Sequence, residues 1–193
     1  MRHYADTLTL LAARAAFFDD ASLGVDGGYG ARWVRVEAKP FPLFFPNSRR
    51  RVAAAKLHDL HHVATEYRSD WVGEAEIAAW EIAGGCGPYG WAWLLNAGAF
   101  AVGLFRAPKR TFRAFLRGRR VRNLYHRGFA DSALESTTVG SLRRQLGLDA
   151  PRVPRSSDVA AFTMWCAILV LFHAAVIALG GALLWATWQS LRP

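Results

Sequence analysis

Two histidines and two carboxylates stand at intervals that suit a metal ion. His58 and His62 are four residues apart, so on a helix their side chains share one face. Asp59 directly follows His58, and Glu74 falls in the first turns of the next predicted helix. Because two helices joined by a short loop pack antiparallel, Glu74 can fold back over the two imidazoles. The pattern therefore predicts a divalent-metal site on a pair of facing helices.

The chemistry of such a site follows from its ligands. Imidazole and carboxylate groups suit zinc, iron and manganese alike. This ligand set leaves room for water or a substrate, so the metal can act as a Lewis acid. We predict His58, Asp59, His62 and Glu74 as metal ligands. Glu74 or Asp59, where not bound to the metal, would serve as the catalytic group that moves a proton.

Two other interpretations of these histidines are open. One is a solvated helix pair in which the histidines are incidental. The other is a box of the H-x-x-H-H type, used by membrane di-iron hydroxylases, which gather their histidines from several boxes. This chain has six histidines, and His3, His126 and His173 lie in no box. The sequence therefore disfavours the di-iron interpretation, and it assigns no role to His61 or His173.

The residues around the site predict helices. Asn47 and Ser48 suit the start of a helix that ends at Thr65, and Asp70 suits the cap of a helix from Trp71 to about Ile82. Further helices are expected over residues 4–20 and 91–105. Residues 21–48 are rich in Gly and Pro, so we expect irregular structure whose aromatic side chains cover a core rather than pair as strands.

Residues 106–127 carry nine Arg or Lys and no acidic residue. Neighbouring like charges on a helix repel one another, so a polyanionic partner is expected. Nucleic acid and an anionic membrane surface are the two candidates. A membrane segment farther along the chain decides for the membrane surface, and we expect no nucleic-acid partner.

That membrane segment follows Val159. Up to Leu191 its only ionisable side chains are Cys166 and His173, and tryptophans stand near both ends. This pattern is typical of a transmembrane helix with interfacial aromatic residues. Four arginines precede the segment and one follows it: Arg143, Arg144, Arg152 and Arg155 before, and Arg192 after. The positive-inside rule therefore places the main domain on the cytoplasmic face of a bacterial inner membrane, or on the matrix face of a mitochondrial one.

Together these patterns predict an all-α protein in three parts. Residues 1–150 form a helical, metal-binding domain, residues 151–158 a linker, and residues 159–190 a transmembrane anchor. The N-terminal apolar stretch is interrupted by Arg14, so it predicts an amphipathic helix rather than a secretory signal. The two cysteines, Cys86 and Cys166, predict no disulfide framework.

A longer motif contains the candidate ligands. His58, Asp59, two further residues, His62, eleven residues and then Glu74 fit H-D-x-x-H-x(11)-E. This pattern resembles the signature of the Coq-four family of ubiquinone (coenzyme Q) biosynthesis proteins. The flanking "VATEY" and "GEAEIAAWE" also resemble that family's "HVLTGY" and "GEIALKWFE" context. The resemblance covers residues 48–128.

The resemblance implies an all-helical protein that binds a divalent metal, usually zinc, through His58, Asp59, His62 and Glu74. It also implies a peripheral membrane location, a hydrophobic channel for a polyprenylated quinone precursor, and association with the other ubiquinone enzymes. The implied reaction is the oxidative removal of the ring's C1 carboxyl group.

Residues 91–105 are uncharged and apolar, so we expect them to line a cavity for the isoprenoid chain. The competing class is a membrane-anchored scaffold or lipid-binding protein in which the metal is structural. A homo-oligomer is compatible with either class.

Overall fold

The computed structural model describes residues 3–36, 42–149 and 154–192. Over these ranges the chain forms seven α-helices and one two-stranded sheet, which confirms the predicted all-α class. The chain divides into two compact units, Met1–Arg152 and Val153–Pro193. The helices are α1 (Leu10–Asp20), α2 (Arg49–Thr65), α3 (Trp71–Gly84), α4 (Gly90–Arg106), α5 (Pro108–Gly118), α6 (Val139–Leu146) and α7 (Ser156–Ser190).

The two helices that carry the predicted ligands begin at the expected caps. The Ser48 hydroxyl accepts a hydrogen bond from the Arg51 amide at 3.2 Å. The Asp70 carboxylate accepts from the amides of Val72 and Gly73 at 3.2 and 2.9 Å. Each cap satisfies amides that a helix N-terminus leaves without an intrahelical partner.

The first helix is shorter than predicted. It begins at Leu10 rather than near residue 4, and the Thr9 hydroxyl caps it. The chain at this point bonds instead to the segment that enters α6. The Leu10 amide donates to Thr137 O at 2.8 Å, and the Val139 amide donates to Leu8 O at 2.9 Å. These backbone bonds compete with helix formation, which explains the later start.

The prediction of irregular structure over residues 21–48 is wrong in part. Strands β1 (Trp33–Val36) and β2 (Leu43–Pro46) form an antiparallel pair with Trp33 opposite Pro46. Residues 37–41 lie outside the described ranges. Neither strand has a buried face. Without a buried face, a strand lacks the strong alternation of apolar and polar residues by which a sequence predicts it.

Helix α3 lies at the centre of the first unit, against α2, α4 and α5. Its residues Ile77, Ala78 and Trp80 are fully buried. Helix α5 approaches it closely at Gly118, where an added Cβ would lie 2.1 Å from Trp80 O. This close approach fixes α3, and with it any side chain that α3 presents toward α2.

Arg143 is a buried structural residue. The sequence places it among the charges flanking the membrane segment, yet its guanidinium lies inside the first unit. It donates to Ala64 O at 3.2 Å, to Tyr4 O at 3.1 Å, to Asp6 at 2.6 Å and to Glu66 at 2.5 Å. One side chain thus links α6, the end of α2 and the N-terminal segment.

Helix α7 is long and apolar enough to cross a membrane. Its 35 residues extend about 52 Å at 1.5 Å per residue, more than a bilayer's hydrocarbon core of about 30 Å. His173 is bonded within its own helix, with Nδ1 2.7 Å from Leu169 O.

Candidate metal centre

The structure brings three of the four predicted ligands together. His58 and His62 lie one turn apart on α2, and their Nε2 atoms face each other at 3.1 Å. Glu74, in the first turn of α3, reaches back to both rings as predicted. Its Oε2 lies 3.4 Å from His58 Nε2, and its Oε1 lies 3.3 Å from His62 Nε2. The three groups form a candidate metal-ion site.

The distances between these atoms fit one small ion. Zinc binds imidazole nitrogen and carboxylate oxygen at about 2.0–2.2 Å, so two ligand atoms at the corners of a zinc tetrahedron lie about 3.3–3.5 Å apart. The two Nε2 atoms are 3.1 Å apart, the two Glu74 oxygens lie 3.3 and 3.4 Å from one imidazole each, and one ligand atom from each residue lies within 4.8 Å of the others. The side chains therefore stand close to coordinating positions without rearrangement of either helix.

Both imidazoles are oriented by a second partner. His58 Nδ1 lies 3.0 Å from Glu81 Oε1, and His62 Nδ1 lies 2.8 Å from the carbonyl oxygen of Tyr67. Each of these oxygens accepts the Nδ1 proton, which leaves Nε2 with its lone pair free to bind a metal. The Phe17 ring stacks on His62 with centroids 4.9 Å apart and holds the ring from the other side.

Asp59, the fourth predicted ligand, lies outside this group. It is buried and accepts a hydrogen bond from the Tyr29 hydroxyl. Asp59 is three residues before His62, a spacing that can share a helix face, but its side chain is engaged with Tyr29 instead. Burial raises the pKa of the Asp59 carboxyl and, together with the nearby Asp59 charge, raises the pKa of Tyr29.

His61 has both ring nitrogens engaged. Its Nδ1 lies 2.6 Å from Glu81 Oε1, and its Nε2 accepts a hydrogen bond from the Leu124 amide at 2.9 Å. The ring is fully buried, and this burial lowers its pKa. Because neither nitrogen is available to a metal in this arrangement, the geometry does not favour the H-x-x-H-H interpretation.

Glu81 is the site residue that sequence analysis missed. It is fully buried, and its Oε2 accepts hydrogen bonds from Asn96 at 2.5 Å and Tyr125 at 3.1 Å. Burial opposes its ionisation, but the charge of His58 and hydrogen bonds from His58 and His61 hold its pKa well below the usual range. Its position seven residues after Glu74, two turns along the same helix face, is the signal that could have found it.

The imidazoles and carboxylates of the group favour each other's charged forms. Burial disfavours ionised Glu74, but the His62 charge and hydrogen bonds from both imidazoles hold its pKa well below the usual range. Burial would lower the pKa of His58, but the charge of Glu81 and the contact with Glu74 raise it well above its usual value. In the absence of a metal, a proton on His58 therefore stabilises the carboxylates.

Two of the three side chains in the group are partly exposed. The His62 side chain is 1% exposed, whereas those of His58 and Glu74 are 22% and 35% exposed. Behind His62, a cavity of about 470 Å³ is lined by Tyr4, the end of α1 and residues 66–70, with Phe17 and Tyr67 in its wall. The expected isoprenoid channel along residues 91–105 is a different place, and it stays a prediction.

No known family model, curated protein or solved structure matches the chain. The centre itself consists of two oriented imidazoles and a carboxylate whose ligand atoms converge.

Proposed function

We propose that this chain is a metal-dependent, membrane-attached protein of ubiquinone biosynthesis. It binds polyprenylated ring intermediates and acts in, or organises, decarboxylation and hydroxylation at ring carbon C1. One observation carries the proposal: the Nε2 atoms of His58 and His62 and the Glu74 carboxylate converge, at the spacing of H-D-x-x-H-x(11)-E. Zinc, iron and manganese all fit this ligand set.

Each residue has a role in this proposal. His58, His62 and Glu74 hold the metal, which supplies a Lewis acid for a carboxylate or phenolate oxygen of the substrate. Glu81 and the Tyr67 carbonyl keep the imidazoles in the metal-binding tautomer. Asp59 accepts a hydrogen bond from the Tyr29 hydroxyl, and in this proposal it is the group that moves a proton.

The ligand count supports catalysis over a purely structural metal. Structural zinc sites are almost always closed by four protein ligands, whereas catalytic sites have three and keep a position open. Three ligands converge here in the described part of the chain, and two of them are partly exposed. The alternative is a scaffold or lipid carrier whose metal is structural.

The identity of the metal separates these roles further. Replacing a ring carboxyl group by a hydroxyl releases CO₂ and consumes an oxidant such as molecular oxygen. Zinc has no redox chemistry, so iron or manganese in the site would support oxidative catalysis. Zinc would support substrate binding, or presentation of the substrate to other ubiquinone enzymes.

Membrane attachment fits the substrate. A polyprenylated ring resides in the bilayer, and α7 provides a tether to it. In this proposal the first unit lies on the cytoplasmic or matrix face, because Arg144, Arg152 and Arg155 precede the helix and Arg192 alone follows it.

Elemental analysis of the purified full chain tests the centre. We expect one divalent metal per chain, and loss of most of it in His62→Ala. The control is His126→Ala, which removes an exposed histidine outside the group and should retain the metal. Full occupancy in a His58→Ala/His62→Ala double variant would overturn the proposal.

Complementation tests the role of the centre. A cell that lacks its own Coq-four protein should regain ubiquinone with this chain. With Glu74→Ala it should instead accumulate the carboxylated precursor, while Glu135→Ala, an exposed acid, behaves as the unaltered chain. Equal ubiquinone from Glu74→Ala would exclude essential chemistry at Glu74 and favour a scaffold.

A further inference from the structure

The outward face of α4 is apolar along the whole helix. Trp91, Leu94, Leu95, Val102 and Phe105 lie within about 100° of one another around the helix axis, so they share one face. Leu94 is 50% exposed and Phe105 is 88% exposed. The opposite face holds the buried residues of the helix, which are Ala92, Asn96, Phe100 and Gly103.

The β-hairpin extends this face. The Phe45 ring stacks on Trp91 with centroids 5.5 Å apart, so the hairpin rests on the first turn of α4. Its other face presents Trp33 and Phe44, which are 56% and 60% exposed. Large apolar side chains exposed together on neighbouring elements mark sites of interaction.

Positive charge flanks the apolar face at its C-terminal end. Arg106 follows Phe105 directly, and Lys109 and Arg113 lie one turn apart on α5; all three are exposed. Arg110, by contrast, is paired with Glu76 at 2.6 Å. With no acidic residue between 106 and 127, this flank attracts an anionic partner.

We propose that this α4–hairpin surface, formed by Trp33, Phe44, Leu94, Leu95 and Phe105, lies in the interface of an anionic lipid bilayer. The aromatic and aliphatic side chains enter the boundary between headgroups and acyl chains. Arg106, Lys109 and Arg113 contact anionic headgroups. The inference rests on the proposed membrane attachment and is independent of the metal.

A bilayer fits this surface better than a second copy of the chain does. A second copy would present the same apolar and basic side chains, and residues 106–127 offer no carboxylate to neutralise them. Anionic lipid supplies both an apolar layer and a layer of negative charge. The tether formed by α7 also keeps the first unit at high local concentration near the bilayer.

The test measures depth in the bilayer on the full chain. With Cys86 and Cys166 replaced by Ala, Phe105→Cys carries an NBD fluorophore, and Ser132→Cys, at an exposed position outside the surface, is the control. Both proteins are placed in nanodiscs of phosphatidylcholine, with or without phosphatidylglycerol, that contain doxyl-labelled lipid as quencher. Metal content is measured on the same samples.

We expect quenching and a blue shift of the Phe105 label in discs that contain phosphatidylglycerol, and neither at Ser132. Lys109→Glu/Arg113→Glu should return the Phe105 label to the control level. An unquenched Phe105 label in both kinds of disc would overturn the proposal.

Equal quenching of the Phe105 label with and without phosphatidylglycerol would overturn the electrostatic part of the proposal. A label already shielded in detergent would identify α7 or a second copy as the occupant. Failure of the chain to enter discs would contradict the attachment itself.

Discussion

His61 Nδ1 lies 2.6 Å from Glu81 Oε1, the same oxygen that lies 3.0 Å from His58 Nδ1. One buried carboxylate oxygen therefore orients both a candidate ligand and a histidine that is not one. Through His61 Nε2 the contact continues to the backbone of Leu124. The position of the candidate ligand is thus determined by residues beyond the two helices that carry the motif.

Glu81→Gln should weaken zinc affinity by about 10- to 100-fold, the usual effect of removing an outer carboxylate from a histidine ligand. The amide keeps the shape but lacks the charge that favours the Nδ1–H tautomer. Competitive titration with a chromophoric chelator measures the change. Glu76→Gln alters an acid of the same helix that pairs with Arg110, and its zinc affinity should be unchanged. Equal affinities in the two variants would contradict the role of Glu81.

Metal should stabilise the first unit. At a free zinc concentration 100 times Kd, binding to the folded state adds about 2.7 kcal/mol to the free energy of unfolding. Urea unfolding with zinc and with a chelator measures the difference. The His58→Ala/His62→Ala variant should show no response to zinc. A response that persisted there would place the stabilising ion elsewhere.

Arg143→Ala should lower the free energy of unfolding by about 1–3 kcal/mol, as expected when buried hydrogen-bond acceptors lose their donor. It leaves two backbone carbonyls and two carboxylates without their donor. Arg144→Ala, at the next and exposed position, should change stability by less than about 0.5 kcal/mol. Chemical denaturation compares the two, and similar losses would contradict the assignment.

Two glycine substitutions should have opposite effects. A Cβ at Gly118 would lie 2.1 Å from Trp80 O, so Gly118→Ala must separate α5 from α3, at a cost of about 1–3 kcal/mol or more. A Cβ at Gly98 on α4 meets no atom within 4 Å, so Gly98→Ala should stabilise by up to about 1 kcal/mol. Thermal unfolding gives both signs. Stabilisation by Gly118→Ala would contradict the close helix contact.

A chain that ends after Arg155 should associate with membranes only through the α4–hairpin surface and its basic flank. Such binding weakens as salt screens the charges. The full chain should resist a carbonate wash, because α7 remains inserted, whereas the shortened chain should be released. Carbonate-resistant binding of the shortened chain would mean that α7 is not what anchors the protein.

The sequence predicted the motif helices well because their signals are local. Ser48 and Asp70 cap helices from adjacent positions, and the spacing of His58 and His62 fixes a common face. Glu74 was placed correctly because the loop between the helices is short. Asp59 was predicted as a ligand from its place beside His58 and from the motif, and its contact with Tyr29, from a distant part of the chain, could not be predicted.

The missed features depend on contacts between distant parts of the chain. Glu81 acquires its role from Asn96 and Tyr125 as much as from α2, and neither contact has a local signature. The hairpin likewise depends on Phe45 meeting Trp91. The later start of α1 depends on backbone bonds to residues near 138.

The turn between α2 and α3 has a consequence for the interval of eleven residues. Glu66 ends α2 in a left-handed conformation, and Gly73 lies so close to Arg68 O that a Cβ there would be 2.0 Å away. The turn is therefore compact, and the number of residues from His62 to Glu74 determines whether the carboxylate points toward the imidazoles. One residue more or fewer in the first turn of α3 would swing the carboxylate about 100° away from the imidazoles. A search for distant relatives should therefore require eleven residues between the second histidine and the acid. It should also require a small residue directly before the acid, even where the other residues have diverged.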